Sequence, residues 1–240
     1  MTINTDDLIN SIMESLDRIK YINTEDIPSI DLYMDQVTTF MNNKLKSTTR
    51  NPNDDKILTK TMINNYAKND LLPSPEKKKY SKEHILVLIF IYYLKSILSF
   101  NDIQTVLKPI TDRYFKNDED FDLERIYKEI FELENSQKEM IKKDVLDKFE
   151  QAGKVFKDAP AADEDFFQLF AFISLLGFDV YVKQLLIEKL IDGYRDSQSE
   201  GNREKARAEK EKALREKATL ERAMKEKAAI ERALKEKQKQ

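Results

Sequence analysis

The chain has 240 residues, 40% of them hydrophobic, which is enough to bury the core of one large domain or two modest ones. It has no cysteine, one histidine and four glycines, which excludes disulfides, thiolate metal sites and glycine-rich phosphate loops and argues against a histidine-ligated metal. The formal net charge of −3 argues against non-specific coating of nucleic acid. Because no triad, metal or nucleotide motif is recognisable, we expect a protein that is not an enzyme and has no cofactor.

Residues 1 to 30 lack the basic start and the apolar block of a secretory signal, so a cytoplasmic location is expected. The two most apolar runs, 85–100 and 166–178, are too short to span a bilayer. Both are therefore predicted to be buried helices, without membrane contact.

Two helices are predicted before the first polar loop. Apolar residues recur at helical spacing from Leu8 to Ile19, which predicts an N-terminal helix within residues 1–27 that packs on the next part of the chain. A second helical stretch is predicted from Ile30 to Leu45, and the polar loop 47–55 comes after it.

The next segment has the order of a winged helix-turn-helix. Thr59 or Thr61 caps a predicted helix that runs through Asn69, and Leu71-Leu72-Pro73 stops it. The turn from residue 73 to residue 80 then carries three consecutive lysines.

Positive charge is concentrated around this helix and turn. From residue 43 to residue 82, ten lysines and arginines are set against four carboxylates, which gives the segment a charge of +6. A helix followed by a lysine-bearing wing is typical of a phosphate-binding surface.

Two further helices complete this unit. Ser81 caps a predicted helix to Leu98 whose apolar residues cover most of its circumference, as in a central core helix. Its first turn holds the single histidine, His84, which is predicted to be structural. Ser99 begins another helix that runs through Leu107 to Pro109.

Residues 118–195 are predicted to form an all-helical second domain for dimerisation or sensing. Apolar spacing from Phe121 to Phe156 predicts one long helix or two consecutive ones. A further helix begins near Asp163, runs to about Leu175, and is interrupted at Gly177-Phe178 before a last helix over 181–194. Its aromatic side chains favour a packed core or a dimer seam over an effector pocket.

Residues 200–240 are a Lys/Glu/Ala-rich near-repeat of five residues, which predicts a long charged helix. The large apolar residues of this tail do not keep to one helical face, so a regular heptad coiled coil is not supported there.

Three short motifs resemble the MerR-type DNA-binding domain: INNYAKNDLLP at 63–73, KYS at 79–81 and LSFNDI at 98–103. That family has a leucine-arginine-tyrosine-tyrosine run, a glycine-leucine-leucine-proline turn, a tyrosine-ended wing and a glycine-phenylalanine-serine-leucine helix start. Asn64 and Asn65 stand where the family has its arginine and first tyrosine, and Asp70 stands where it has the glycine. The resemblance implies a winged helix-turn-helix.

A closer resemblance is to the bacterial domain-of-unknown-function 1836 (DUF1836) family. Its members carry runs nearly identical to KTMINNY at 60–66 and to DLYMDQV at 31–37. The resemblance covers residues 28–112 and implies a MerR-like domain over that segment.

If the helix before the turn enters the major groove, the candidate DNA contacts are its polar residues together with the wing. These are Lys60, Asn64, Asn65, Tyr66, Lys68, Lys77, Lys78, Lys79 and Tyr80. Asparagine pairs with adenine N6 and N7, and lysine binds phosphate. The alternatives are that the asparagines brace the turn, that the lysines form a solvated turn, and that the tyrosines belong to the core or hinge.

The sequence thus predicts an all-α transcriptional regulator with a small wing. We expect it to bind double-stranded DNA as a homodimer, because one such domain buries too little surface for tight specific binding. A small-molecule or protein effector is left unidentified. The alternative is a protein-binding adaptor that has lost DNA binding, which Asn64 in place of the family's arginine favours.

Overall fold

The structure, a computed structural model, describes residues 5–18, 22–49, 57–117 and 120–237. For residues 5, 6, 17, 18, 47, 202–209 and 211–237 it describes the backbone only. The described part is mostly helical, as predicted, with one two-stranded sheet. By internal contacts the chain divides into two units, Met1–Glu188 and Lys189–Gln240.

The α-helices are α1 (Thr5–Arg18), α2 (Met34–Leu45), α3 (Lys60–Lys68), α4 (Lys82–Leu94), α5 (Phe100–Tyr114), α6 (Leu123–Ser136), α7 (Lys138–Ala152) and α8 (Glu164–Lys237). Two short 3-10 helices lie at Thr24–Asp26 and Lys46–Thr48. The strands β1 (Leu32–Tyr33) and β2 (Lys79–Tyr80) pair antiparallel, with Leu32 opposite Tyr80.

The stretch predicted as a helix from Ile30 begins as a strand instead. Pairing with β2 keeps Leu32 and Tyr33 extended. The backbone N–H of Tyr33 donates to Oε1 of Gln36 at 2.8 Å, so α2 begins only at Met34. The prediction was wrong here because a two-residue strand is too short to show a periodicity.

Helix α4 lies at the centre of the core, as its all-round apolar sequence predicts. Its residues 85–89 are all buried, and β2, α5 and α6 contact it. The ring of Phe90 lies edge-on to Tyr127 at 5.6 Å and stacks on Phe131 at 5.9 Å. Each fully buried aliphatic or aromatic side chain contributes roughly 1.5–3 kcal/mol, so α4 is the main hydrophobic anchor of this unit.

The ends of α4 and α5 differ from the predicted ones. Helix α4 ends at Leu94 rather than Leu98, because the chain turns there: the N–H of Ile97 donates to the carbonyl of Leu94 at 3.1 Å, and Ser99 is already the N-cap of α5. Helix α5 continues through Pro109 to Tyr114. Proline removes one backbone hydrogen bond from a helix, and the remaining bonds of α5 hold the last turn.

The helical stretch predicted after Phe121 is two consecutive helices, α6 and α7. Helix α6 packs on α4, and the hydroxyl of Tyr127 donates to the carbonyl of Ile22 at 2.7 Å in a buried position. The N-terminal helix α1 contacts α7. The domain boundary placed between residues 112 and 118 stays a prediction.

Helix α8 departs furthest from the sequence prediction. It is one helix from Glu164 to Lys237, and the interruption predicted at Gly177-Phe178 was wrong. A single glycine costs only about 1 kcal/mol inside a helix, which is too little to break one of this length. The helical tail is confirmed as far as Lys237.

The run 166–178 was also wrongly predicted to be a buried helix. Phe172 is 3% exposed and packs with Ile9, Val145 and Ala152. By contrast, exposures between 54% and 66% are found at Phe166, Phe170, Ile173 and Phe178. Helix α8 therefore buries one face and leaves the other to solvent.

This run is part of a helix longer than the one predicted. The stretch Glu164–Gly201 is long and apolar enough to cross a membrane, with a mean hydropathy of 1.6 in an 18-residue window that is 6% buried. One such helix, judged by length and composition alone, is weak evidence of a span. The expected absence of membrane contact stays a prediction.

Candidate nucleic-acid interface

Helix α3 is short, and its N-terminal end is fixed by a side-chain cap. Of the two predicted caps, Thr59 is the N-cap of α3, because its Oγ1 accepts the N–H of Met62 at 3.1 Å. The helix buries Ile63 and Tyr66 and exposes the residues between them. Its polar face, with Asn64 and Lys68 one turn apart, is therefore turned away from the core.

The C-terminal end of α3 is closed by a Schellman motif. The N–H of Leu71 donates to the carbonyl of Tyr66 at 2.9 Å, and the N–H of Asp70 donates to that of Ala67 at 3.4 Å. Asp70 has a φ of 55° and so takes the left-handed position where the MerR family has glycine. Aspartate tolerates this conformation better than most residues, which keeps the turn without a glycine.

The lysine run forms the tip of a β-hairpin. The N–H of Lys79 donates to the carbonyl of Glu76 at 2.8 Å, and Lys77 and Lys78 between them have φ values of 48° and 65°. Two consecutive left-handed residues are typical of a type I′ turn, which favours asparagine and glycine. Left-handed backbone costs a lysine roughly 1–2 kcal/mol, so the tip exposes two ammonium groups in a strained turn.

The other polar candidates on α3 are partly engaged. Lys60 forms an ion pair with Asp35 of α2. The Oδ1 atom of Asn65 accepts from Nδ2 of Asn69 at 2.8 Å, which matches the bracing alternative for that asparagine.

The two tyrosines lie in the core. Tyr66 and Tyr80 are 8% and 3% exposed, and burial raises the pKa of both hydroxyls. The Tyr66 ring lies 6.4 Å from that of Phe100, and the Tyr80 ring lies edge-on to His84 at 5.4 Å. These contacts favour the core alternative, because a base cannot stack on a ring that is already covered.

His84 fixes the junction between β2 and α4. Its Nδ1 accepts the N–H of Ser81 at 2.9 Å, so the proton of the neutral ring lies on Nε2. The ring packs edge-on against Phe115 at 4.7 Å. Burial lowers the pKa of His84, and a weaker interaction with the Ser74 backbone opposes that effect. The three-residue spacing from Ser81 is the capping-box spacing, a signal that the sequence carries.

Lys116, which follows α5, contacts the lysine hairpin, and sequence reasoning missed it. It forms an ion pair with Glu76, beside the hairpin tip, and this hydrogen bond holds the pKa of the Glu76 carboxyl below its usual range. The two residues are 40 positions apart in sequence, so no local pattern connects them. The ion pair neutralises the carboxylate that precedes the lysine run.

Part of the local positive charge is neutralised by neighbouring carboxylates. Lys44 pairs with Asp26 at 3.0 Å, and Lys82 pairs with Glu124 at 2.7 Å. Arg50 and Lys56 lie outside the described residues. The charge of +6 therefore overstates the local positive charge. The exposed lysines of the last turn of α3 and of the hairpin tip are Lys68, Lys77 and Lys78. Lys79 Nζ lies 5.4 Å from the centre of the Tyr33 ring.

No curated protein and no solved structure matches the chain. Residues 22–130 match the family model described as "Domain of unknown function (DUF1836)". The match extends beyond the predicted 28–112 at both ends. Its first residue, Ile22, and Tyr127 near its last are joined by the buried hydrogen bond from α6. The match supports the predicted DUF1836 family for the segment 22–130, a domain of unknown function.

Proposed function

We propose that residues 28–112 bind double-stranded DNA as a MerR-like winged helix-turn-helix, and that the protein regulates transcription. Helix α3 enters the major groove, and the hairpin tip contacts phosphates. The observation that carries this proposal is the pair Lys77 and Lys78, two exposed cations kept in left-handed backbone. Such strain clusters at functional sites, and asparagine and glycine would form the same turn with less of it.

The packing around α2 supports the proposal. Helix α2 contacts α3, β1 and β2. In a helix-turn-helix, the first helix packs on the second, and the second reads base edges in the groove. The pairing of β1 with β2 connects the wing to the residues that lead into α2.

Positions one helical turn apart supply the groove contacts. Lys60, Asn64 and Lys68 are four residues apart and share one face of α3. Asn64 is suited to adenine N6 and N7, and Lys68 to phosphate. Lys60 would exchange its ion pair with Asp35 for a phosphate.

The proposal is tested by fluorescence anisotropy at low salt, with duplex DNA from the region upstream of the gene and with pooled genomic fragments. The test variant is Lys77→Ala/Lys78→Ala/Lys79→Ala. The matched control is Lys143→Ala/Lys154→Ala/Lys157→Ala, which removes the same charge from exposed positions of α7 and the loop after it. We expect binding to weaken roughly 10-fold or more in the wing variant and less than about 2-fold in the control. Equal losses in both, or no binding by the wild type, would contradict the proposal.

The alternative function is a protein-binding adaptor. The ion pairs of Lys60 with Asp35 and of Lys82 with Glu124 favour it, because they occupy cations that a DNA-binding surface would use. So does the internal hydrogen bond of Asn65. Absence of DNA binding by the folded wild type would select this alternative.

A further inference from the structure

We propose that the exposed apolar face of α8 between residues 166 and 184 binds the same face of a second copy of this chain, in antiparallel orientation. The whole face lies within the unit Met1–Glu188. This inference does not rest on DNA binding, and its test is independent of DNA.

The face has the heptad spacing of a helix pair. Steps of four and three residues connect Phe166, Phe170, Ile173, Gly177 and Val180, which we call the seam. Its four large side chains are between 54% and 58% exposed. A stripe of this spacing faces a single partner helix.

The opposite face of α8 is already occupied. The ring of Phe172 lies edge-on to Phe149 of α7 at 5.4 Å. The carboxylate of Asp179 accepts from Lys148 of α7 at 2.8 Å. The seam is therefore a second surface of the helix, separate from the one that packs inside the protein.

A lipid bilayer does not suit this helix. Spanning would carry the Asp179 and Lys148 ion pair and the charged helix α7 into hydrocarbon, which is costly. Lying on an anionic membrane surface is disfavoured too, because residues 163–188 hold five carboxylates and one lysine. A second copy of the chain buries the same apolar side chains without either cost.

An antiparallel pair centred on Leu175 sets large side chains against small ones. It brings Phe170 opposite the partner's Val180 and Ile173 opposite the partner's Gly177. Apart from its chain neighbours and the nearby backbone of α8 itself, no atom lies within 4 Å of the position where Gly177 would carry a Cβ, so this space is open to the isoleucine. A parallel pair would leave two glycines facing each other and would bring the acidic residues 163–165 of both copies together.

The area available reaches the lower limit for a specific interface. Full burial of an aromatic side chain removes about 150–250 Å² from water, so the exposed parts of the seam and of Tyr181 amount to roughly 500 Å² per copy. Tyr181 borders the seam and is 63% exposed. The two copies together would bury roughly 1,000 Å², which is the minimum for a specific interface and below the standard size of about 1,600 Å².

Sedimentation velocity of the full chain tests the interface. The test variant is Ile173→Glu, and the matched control is Leu186→Glu, which introduces the same charge at a similarly exposed position of α8 off the seam (57% and 55% exposed). We expect a wild-type dimer, self-association weakened about 100-fold or more by the buried carboxylate in Ile173→Glu, and an unchanged dimer in Leu186→Glu. Both replaced side chains are exposed in the single chain, so circular dichroism should show the wild-type helix content in both variants.

Orientation is tested with a spin label on Phe166→Cys, since the chain has no other cysteine. An antiparallel pair centred on Leu175 separates the two labelled positions by 18 residues of helix, or about 27 Å along the axis, whereas a parallel pair brings them into contact. A wild-type monomer, a dimer retained in Ile173→Glu, or adjacent labels would overturn the proposal. So would binding of the wild type, but not of Ile173→Glu, to phosphatidylglycerol vesicles.

Discussion

Three residues around α3 adopt left-handed backbone without being glycine: Asp70, Lys77 and Lys78. Asp70 closes the helix, and the two lysines turn the hairpin. Each lowers the free energy of unfolding relative to glycine at the same position, because a Cβ is crowded in this conformation. All three positions carry a charged side chain on the surface that is proposed to contact DNA.

Replacement of Asp70 by glycine should stabilise the protein. We expect Asp70→Gly to raise the free energy of unfolding by about 1 kcal/mol, since glycine adopts this φ without strain. Urea denaturation measures the change. Asp70→Asn is the control, because it removes the charge and keeps a side chain that tolerates the turn. Equal stabilities of the two variants would show that charge, and not backbone strain, is the cause.

The double variant Lys77→Asn/Lys78→Gly should separate stability from binding. Its residues are those favoured by a type I′ turn, so we expect the free energy of unfolding to rise by roughly 1–2 kcal/mol. Binding to DNA should weaken at the same time, because two phosphate contacts are lost. Urea denaturation and anisotropy on the same samples test both parts. A variant that is no more stable than the wild type would contradict the strained-turn argument.

His84 should make stability depend on pH below neutrality. Burial lowers the pKa of His84 in the folded protein below the ordinary value of 6.5, so the folded protein prefers the neutral ring. The free energy of unfolding is therefore not reduced by His84 above pH 6.5. It falls by up to about 1.4 kcal/mol per pH unit as pH drops from 6.5 toward the pKa of His84 in the folded protein. His84→Gln keeps an acceptor for the N–H of Ser81 and does not titrate. Urea denaturation from pH 7.5 to 5 should show a smaller loss in this variant, and parallel curves would refute the account.

Among the elements, α4 and α6 are joined by both apolar and charged contacts. Glu124 at the start of α6 binds Lys82 at 2.7 Å and Lys128 at 2.9 Å. Burial alone would raise the pKa of Glu124, but hydrogen bonds from Lys82, Lys128 and Thr24 outweigh it and lower the pKa to about 2. The matched family segment 22–130 contains all four residues. This cluster therefore ties the first helices of the segment to its end.

Glu124→Gln should loosen that junction near neutral pH and have little effect in acid. The depressed pKa means that the carboxylate stabilises the fold above pH 4.5 and that this contribution is lost as pH falls through about 2. The expected loss at pH 7 is on the order of 1 kcal/mol, because solvent screens a partly exposed ion pair. Urea denaturation should show a clear difference in the free energy of unfolding between the wild type and Glu124→Gln at pH 7 and a smaller difference at pH 2.5. A difference independent of pH would point to packing instead.

Local signals in the sequence predicted several elements well. Thr59, Ser81 and Ser99 mark the starts of α3, α4 and α5, because a capping side chain acts within a few residues of its own position. The same local reasoning gave the wrong prediction at Gly177. A glycine is a local signal for the end of a helix, but the long helix α8 continues through it.

Across the whole molecule, the features that could not be predicted depend on contacts between residues that are far apart in the sequence. The pairing of β1 with β2, the hydrogen bond of Tyr127 with Ile22, and the ion pair of Lys116 with Glu76 each join residues more than 35 positions apart. The exposure of the seam could not be predicted either, because the apolar pattern of a helix is the same whether that face packs inside its own chain or against another copy. The candidate site stays a prediction, and among its residues the structure separates exposed lysines such as Lys68, Lys77 and Lys78 from the buried Tyr66 and Tyr80.

The measurement we would make first is the salt dependence of DNA binding by the wild type and by Lys77→Ala/Lys78→Ala/Lys79→Ala. Each phosphate contact contributes about 0.9 to the slope of log K against log salt, so the variant should have a slope shallower by roughly 2 to 3. That result would establish the hairpin tip as a phosphate-binding wing. Wild-type protein that does not bind at low salt, or a slope that the three substitutions leave unchanged, would contradict the DNA-binding account.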